Sequence, residues 1–536
     1  MLRQIPAIGA QRLRSARRDG VGSSAVPGNP RPRTVTPCPL AELAAVAGGR
    51  LTDPAVAPVT VTGVTHASAE VRPGDLYAAL RGARRHGAEF VSQAAAAGAV
   101  AVLTDAAGAS AAAQAGLPAL VVPDPRAVLG DVASAIFGNP TGALTIIGIT
   151  GTAGKTSTAY LAESGLRAAG RVTGLIGTVE TRLADLVVDS IRTTPEATDL
   201  HAMFAVALER GVSSIVMEVS SHALAMGRVG GVRFAVCGWT NFGLDHLDFH
   251  ADADAYFAAK ARLFDGRCRV EVLNLDDPAL TTLIHRDTVT YSAAGDPDAA
   301  WRAEDIDGAG YQQTFTLVGP DGLRLPALVT MPGRHNVANA LLAIAMLAAV
   351  GVDPKVAVEG VAACAGVPGR LERVAAPGPV LGVVDYAHKP DAIVAALAAL
   401  REVAAARGGR LVCVIGAGGD RDRGKRGPMG AAAAHGADLV IITDDNPRTE
   451  DDAAIRAEVC RGAVGAATPA ELVEIGGRRA AIAEAVRRAG PADVIALLGK
   501  GHERGQEVGG EVLPFDDRVE LAAALAARFG DEGATG

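Results

Sequence analysis

A chain of 536 residues is too long for one ordinary domain, and at about 150 residues per domain it divides into three or four. Its 49% hydrophobic and 21% charged residues exclude wholesale disorder, and 51 basic against 59 acidic side chains imply no basic face for nucleic acid. The six cysteines are scattered with no C-x-x-C pair, which excludes a zinc ribbon or disulfide framework and fits a reducing cytoplasm.

The first 35 residues hold seven arginines, one aspartate and no apolar run of the kind a secretory signal needs. Residues 1–36 are therefore expected to be a disordered tail or an overlong gene start. From about Pro37 to Asn139, β-branched runs (Val59–Val64, Val100–Leu103, Ala119–Val122) alternate with Ala-rich helical stretches. The longest uncharged stretch, Ala106–Pro123, is broken by Gln114, Gly116 and Pro118, short of the roughly 20 apolar residues of a membrane span. Asn139-Pro140-Thr141-Gly142 then makes a turn-rich seam. Leu144–Ile149 reads as a buried parallel strand, and helix and strand patterns alternate from there to about Ala365, predicting a parallel sheet with crossover helices. After Val367-Pro368-Gly369 a fresh β/α series begins, with strands at Val380–Val384, Leu411–Ile415, Leu439–Thr443 and Asp493–Leu498 and a helix at Ala392–Ala406. The expected division is 1–36, 37–140, 141–366 and 367–536, in the α/β class.

The strongest chemical signal follows Ile146-Ile147-Gly148-Ile149-Thr150: Gly151-Thr152-Ala153-Gly154-Lys155-Thr156-Ser157, a strand, a Gly-rich loop and a helix start. Backbone N–H groups of such a turn cradle phosphates, a lysine there reaches the β/γ-phosphates, and the Thr156 hydroxyl suits Mg²⁺. The strict G-x-x-x-x-G-K-T spacing is not met, since position 149 is Ile. Ile215-Val216-Met217-Glu218-Val219-Ser220-Ser221-His222 ends an apolar strand in an acid, where a metal-binding carboxylate belongs beside a phosphate loop. Asp245, His246, Asp248 and His250 crowd one loop, which by itself suits a metal site or a solvated turn equally. Lys260 by itself is an ordinary helix lysine. Gly416-Ala417-Gly418-Gly419 imitates a dinucleotide fingerprint, but the third glycine of G-x-G-x-x-G would fall at Arg421, so NAD is not expected.

Together these segments resemble the Mur ligase superfamily, with Thr240-Asn241, Asn274-Leu275-Asp276-Asp277, Gly333-Arg334-His335-Asn336, Asp385-Tyr386-Ala387-His388 and Gly499-Lys500-Gly501-His502-Glu503 extending the match over about Leu40 to Leu525. Within the family the last set resembles the members that add the third residue of the peptidoglycan stem peptide. The resemblance implies an N-terminal α/β UDP-binding domain, a central P-loop-type ATPase domain with a mostly parallel sheet, and a C-terminal Rossmann-like domain without a dinucleotide. It implies ATP-driven phosphorylation of a carboxylate, then attack by an amine on the acyl phosphate. ATP would lie on Gly151 to Ser157 and Asn274. Lys155, Glu218, His246 and Lys260 would be catalytic. Two Mg²⁺ ions would be held by Thr156, Glu218, His246 and a carbamylated Lys260. UDP-MurNAc-L-Ala-D-Glu would be bound by His66, Ser68, Thr193, Thr194, Ser220 and Arg228. Three departures from the family pattern are Ala67-Ser68-Ala69 for D-S-R, Ala153 for Asn, and Met226 for Gln.

Asp445-Asn446-Pro447-Arg448 resembles the segment of relatives that add meso-diaminopimelate, with Arg421 resembling a second diaminopimelate contact and Gly499 and Glu503 matching the positions that take the distal amino end. A guanidinium binds a carboxylate bidentately, and an unpaired desolvated Arg448 would make lysine poorer by orders of magnitude. The alternatives are a lysine-adding member, a folylpolyglutamate synthetase, which lacks the uridine-nucleotide segment that Gly63-Val64-Thr65-His66-Ala67-Ser68 resembles, a longer cyanophycin-type ligase, and a dead nucleotide-binding scaffold. A cytoplasmic monomer with no membrane span is expected.

Overall fold

The computed structural model describes residues 29–530 apart from 83, 189 and 309. Residues 1–28 of the expected tail lie outside the described residues. Residues 29–36 depart from the expectation of a free tail. The Arg31 guanidinium makes two bonds to the Asp75 carboxylate (2.9 and 3.1 Å), and the Arg33 and Thr34 N–H groups donate to Glu209 (2.8 and 3.1 Å). The physical cause is Asp75, a buried carboxylate that requires a counter-charge.

The N-terminal domain is a five-stranded sheet in the order Arg50–Leu51, Ala119–Val121, Ala101–Thr104, Asp75–Ala78, Gly63–Thr65, parallel except at its first edge. The expected run Val59–Val64 divides into two short strands, Thr60–Val61 and Gly63–Thr65. The domain's core includes Ala197 and Ala202 of the next domain, because helix Pro125–Ile136 lies against helix Ala197–Glu209.

The central sheet has eleven strands among the described residues. Its middle runs parallel: Thr173–Ile176, Ser214–Glu218, Thr145–Thr150, Val236–Trp239, Glu271–Asn274, Val289–Ser292 and Trp301–Asp307. Antiparallel strands extend both edges. Because helices cover both faces, the inner strands carry continuous apolar runs rather than alternation. Helices Lys155–Ala168 and Arg334–Ala349 pack on one face and Ala197–Glu209 on the other. Helix Arg334–Ala349 is buried nearly all round, which is why its sequence shows no polar stripe.

The third domain is a six-stranded sheet in the order Glu372–Arg373, Leu381–Asp385, Val494–Leu498, Leu411–Ile415, Leu439–Ile442, Glu471–Glu474, parallel after its first strand. Its loops at the carboxyl ends, where open α/β sheets bind ligands, carry residues 386–389, 416–424, 445–448 and 499–503. No helix among the described residues is long and apolar enough to cross a membrane.

Candidate active site

The phosphate-type loop leaves strand Thr145–Thr150 and turns into helix Lys155–Ala168 through Gly154, at φ 83°. At Gly151 (φ 141°) a Cβ would overlap the Thr240 hydroxyl, so both glycines are required by geometry. The loop is tied to the neighbouring strand end. Ala153 N–H donates to Asn241 Oδ1 (3.0 Å), the Thr240 hydroxyl donates to Ala153 O (2.6 Å), and Thr152 N–H donates to Asn241 O (2.9 Å). With Ala at 153, the backbone N–H and C=O of that residue carry the first two of these ties. Asn274 is buried and donates to Thr240 O at 3.0 Å, so it braces the same strand end.

Two lysines converge on one carbonyl. Lys155 Nζ donates to Gly151 O (2.8 Å) and Thr152 O (3.1 Å), and Lys260 Nζ donates to Gly151 O (2.8 Å). Lys260 is 1% exposed and lies over the Tyr256 ring, so it is no surface-helix lysine. Burial, and then the charge of Lys155, press its ammonium well below the ordinary lysine range. Burial also lowers Lys155, against the attraction of Glu218.

Glu218 ends strand Ser214–Glu218, fully buried, and accepts from the Thr156 hydroxyl (3.1 Å), the Thr178 N–H (2.9 Å) and the Thr178 hydroxyl (3.1 Å). Thr178 in turn reaches the Thr193 hydroxyl at 3.0 Å. Thr194 donates to Glu218 O (2.9 Å) and receives the Ser220 N–H (3.1 Å). Arg228 pairs with Glu196 at 2.9 Å and touches Met226 Sδ at 3.5 Å. The structure therefore gathers Thr156, Glu218, Thr193, Thr194 and Ser220 into one corner, with Thr178 as a member the sequence reading missed.

His246 stands apart from that corner's hydrogen bonds. It occupies the left-handed region (φ 53°), lies 3.3 Å from Asp245 Oδ2, and is held neutral by burial, its pKa lowered to about 4. Burial would raise the Asp245 carboxyl, but the Lys389 ammonium of the third domain, bonded directly to it, holds it below its usual range. This pair joins the two domains; the sequence marked Asp245 only as part of the crowded loop and assigned Lys389 no role. Among the described residues no group of three or more His, Cys, Asp or Glu side chains is placed to hold a metal.

In the N-terminal domain a cavity of about 420 Å³ is lined by His66, Ser68, Tyr77, Arg85, Phe90 and Arg126, among others. Ser68 bonds Gln93 (3.0 Å), and His66 lies 3.4 Å from the Thr198 hydroxyl of the central domain.

In the third domain Asn446 donates to Glu503 (2.9 Å), and fully buried Lys500 donates to both Asn446 Oδ1 (3.0 Å) and Glu503 (3.2 Å). Lys500 also lies 3.7 Å from Asp445, and Gly499 N–H donates to Asp385 O (3.1 Å). Gly419 N–H donates to Asn446 O (2.9 Å), so the Gly-rich loop serves as a wall of this site. Arg448 is not unpaired: it donates to Glu507 (2.9 Å) and to Gly419 O (2.7 Å). Glu507 carries no local motif, and Lys500 belongs to the Gly499–Glu503 motif without a role assigned by the sequence. Pro447 lies between these contacts, and Arg421 is exposed, with no hydrogen bond or ion pair among the described residues.

Comparison with known proteins places these features in a family. Models described as the Mur ligase middle domain, the Mur ligase glutamate ligase domain and the Mur ligase family catalytic domain match residues 149–347, 369–501 and 60–136. The chain is 54% identical over 507 residues to the UDP-N-acetylmuramoyl-L-alanyl-D-glutamate–2,6-diaminopimelate ligase of Streptomyces coelicolor, covering 93% of this chain and 98% of that one. It is 53% identical to the protein of the same name from Streptomyces avermitilis, with the same coverage. A solved structure of a ligase of that name superposes with a TM-score of 0.66 at 30% identity, covering 92% of this chain and 99% of the other.

Proposed function

The chain belongs to the Mur ligase family, and from that premise we infer that it is an ATP-dependent amide ligase joining meso-diaminopimelate to the D-Glu of UDP-MurNAc-L-Ala-D-Glu in peptidoglycan precursor synthesis. The observation that carries the reading is the occurrence in one chain of the Lys155–Thr156–Glu218 corner and the Arg448 loop on the facing domain. A carboxylate is a poor electrophile, so its activation brings two anions, carboxylate and triphosphate, together. Catalysis is then positioning and charge neutralisation. Lys155 releases its loop carbonyls to meet the phosphates, while the backbone N–H groups of 154–156 cradle them. His66, Ser68, Thr193, Thr194, Ser220 and Arg228 hold the UDP-dipeptide. Asp445 to Arg448, Arg421, Gly499 and Glu503 hold the diamino acid.

Thr156 and Glu218 offer hard oxygens 3.1 Å apart at a buried strand end, a donor set that fits Mg²⁺. Glu218, His246 and Lys260 are proposed for a second ion. Lys260 fits that role only after carbamylation, which replaces a cation with an oxygen anion. When bound, the ions would neutralise phosphate charge. A cytoplasmic, monomeric enzyme completes the reading. ADP release on mixing enzyme, ATP and UDP-MurNAc-L-Ala-D-Glu should require meso-diaminopimelate. Equal release with L-lysine would overturn the choice of amino acid, and release with a folate but not the UDP-dipeptide would overturn the assignment.

A further inference from the structure

Apart from Arg421, the residues proposed to read the incoming amino acid lie on two loops, residues 445–448 and 499–503, that follow strands Leu439–Ile442 and Val494–Leu498, one on each side of Leu411–Ile415 in the third sheet. Their separation decides whether one substrate can meet Arg448 with its carboxylate and Glu503 with its amine. The residues just before the loops are Asp444 and Leu498, and a single side chain holds both. Arg478, the first residue of helix Arg478–Arg488, donates from Nη2 to Leu498 O at 3.0 Å and from Nη1 to Asp444 O at 3.4 Å. The other edge of its guanidinium is taken by Asp517 at 2.7 and 2.6 Å. Both side chains are 0% exposed. The Asp444 side chain accepts the Gly477 N–H at 2.6 Å and pairs with Arg456, so the helix start and the loop base form one unit.

Stability alone is a weak reason for such a pair, since desolvation offsets most of its attraction and apolar replacements are often neutral or better. An apolar pair could not hold two carbonyls at a fixed spacing, whereas a planar five-donor guanidinium can. We propose that Arg478, fixed by Asp517, is a positioning residue for amino-acid specificity: it sets the spacing of the two loops from beneath, as Lys500 does from within. The inference rests on the reading of those loops given above.

Full-length R478K and D517N test it, with KM measured for meso-diaminopimelate, ATP and UDP-dipeptide, and with R448A in parallel. A lysine keeps the charge but lacks the fork. R478K should raise the diaminopimelate KM about tenfold or more and D517N about threefold, because misplacement of a loop by a fraction of an ångström is costly, while the ATP and UDP-dipeptide KM values stay within about twofold. A folded R478K with an unchanged diaminopimelate KM, or an equal rise in all three KM values, overturns the proposal. Should R478K not fold, D517N decides by the same comparison. An unchanged diaminopimelate KM in R448A would discredit the reading of the loops themselves. A rise in R448A with none in the pair variants would discredit the positioning role alone.

Discussion

Arg448→Ala isolates one proposed contact to the incoming amino acid. The backbone there is tied independently of the side chain: Arg448 N–H donates to Glu507 O (2.9 Å) and Gly509 N–H donates to Arg448 O (2.7 Å). Its φ of 56° burdens alanine and arginine alike, so the substitution removes a guanidinium and little else. A substrate carboxylate at that guanidinium gains charge-assisted hydrogen bonds worth about 1.5–3 kcal/mol. It must share the group with Glu507, whose side chain is 42% exposed, and such solvent-screened pairs contribute about 0.2–1 kcal/mol. The difference, about 0.5–3 kcal/mol, corresponds to a rise of about 2- to 100-fold, centred near tenfold, in the KM for meso-diaminopimelate. The ADP-release assay, run as separate titrations of the three substrates, should show that rise with ATP and UDP-dipeptide values unmoved. A diaminopimelate KM within about twofold of the parent would refute the reasoning, as would a parallel rise for ATP. The sequence expectation that lysine is poorer by orders of magnitude rested on an unpaired Arg448. With Glu507 as its partner, this contact accounts for about one order of magnitude, and any further discrimination falls on Arg421.

Lys155→Ala should lower turnover by about 100- to 1,000-fold while circular dichroism stays unchanged, since Lys260 still donates to Gly151 O; near-parental turnover would remove this loop from the ATP site. Lys260→Ala should lose most activity and recover part of it with added acetate or formate, and full activity without additive would sink the carbamate assignment. Asp199, with a pKa raised to about 6 by burial and then by Glu70 and Glu196, destabilises the fold once ionised. Because its folded pKa lies above the unfolded value, that cost is absent at low pH and grows as pH rises through about 4 to 6. Asp199→Asn should therefore melt higher than the parent at pH 8 and no higher at pH 4; a constant difference would contradict the shift.

What the sequence determined is what is local. A strand, a glycine loop and a helix start need only about a dozen contiguous residues, so the loop at 151–157 was legible, as was the parallel character of sheets whose strands are apolar on both faces. Strand ends shifted by a residue or so, as at Leu381–Asp385 and Leu439–Ile442, because where a strand stops depends on its partner strand. Tertiary structure alone decided the pairings. Thr178 meets Glu218 across 40 residues, Arg448 meets Glu507 across 59, and Lys389 meets Asp245 across 144. It also decided that Lys260, unremarkable on its helix, is buried against the Gly151 carbonyl. The physical reason is that a side chain's burial and charge partners are set by which strand ends the sheet brings side by side, and no spacing along the chain encodes that order.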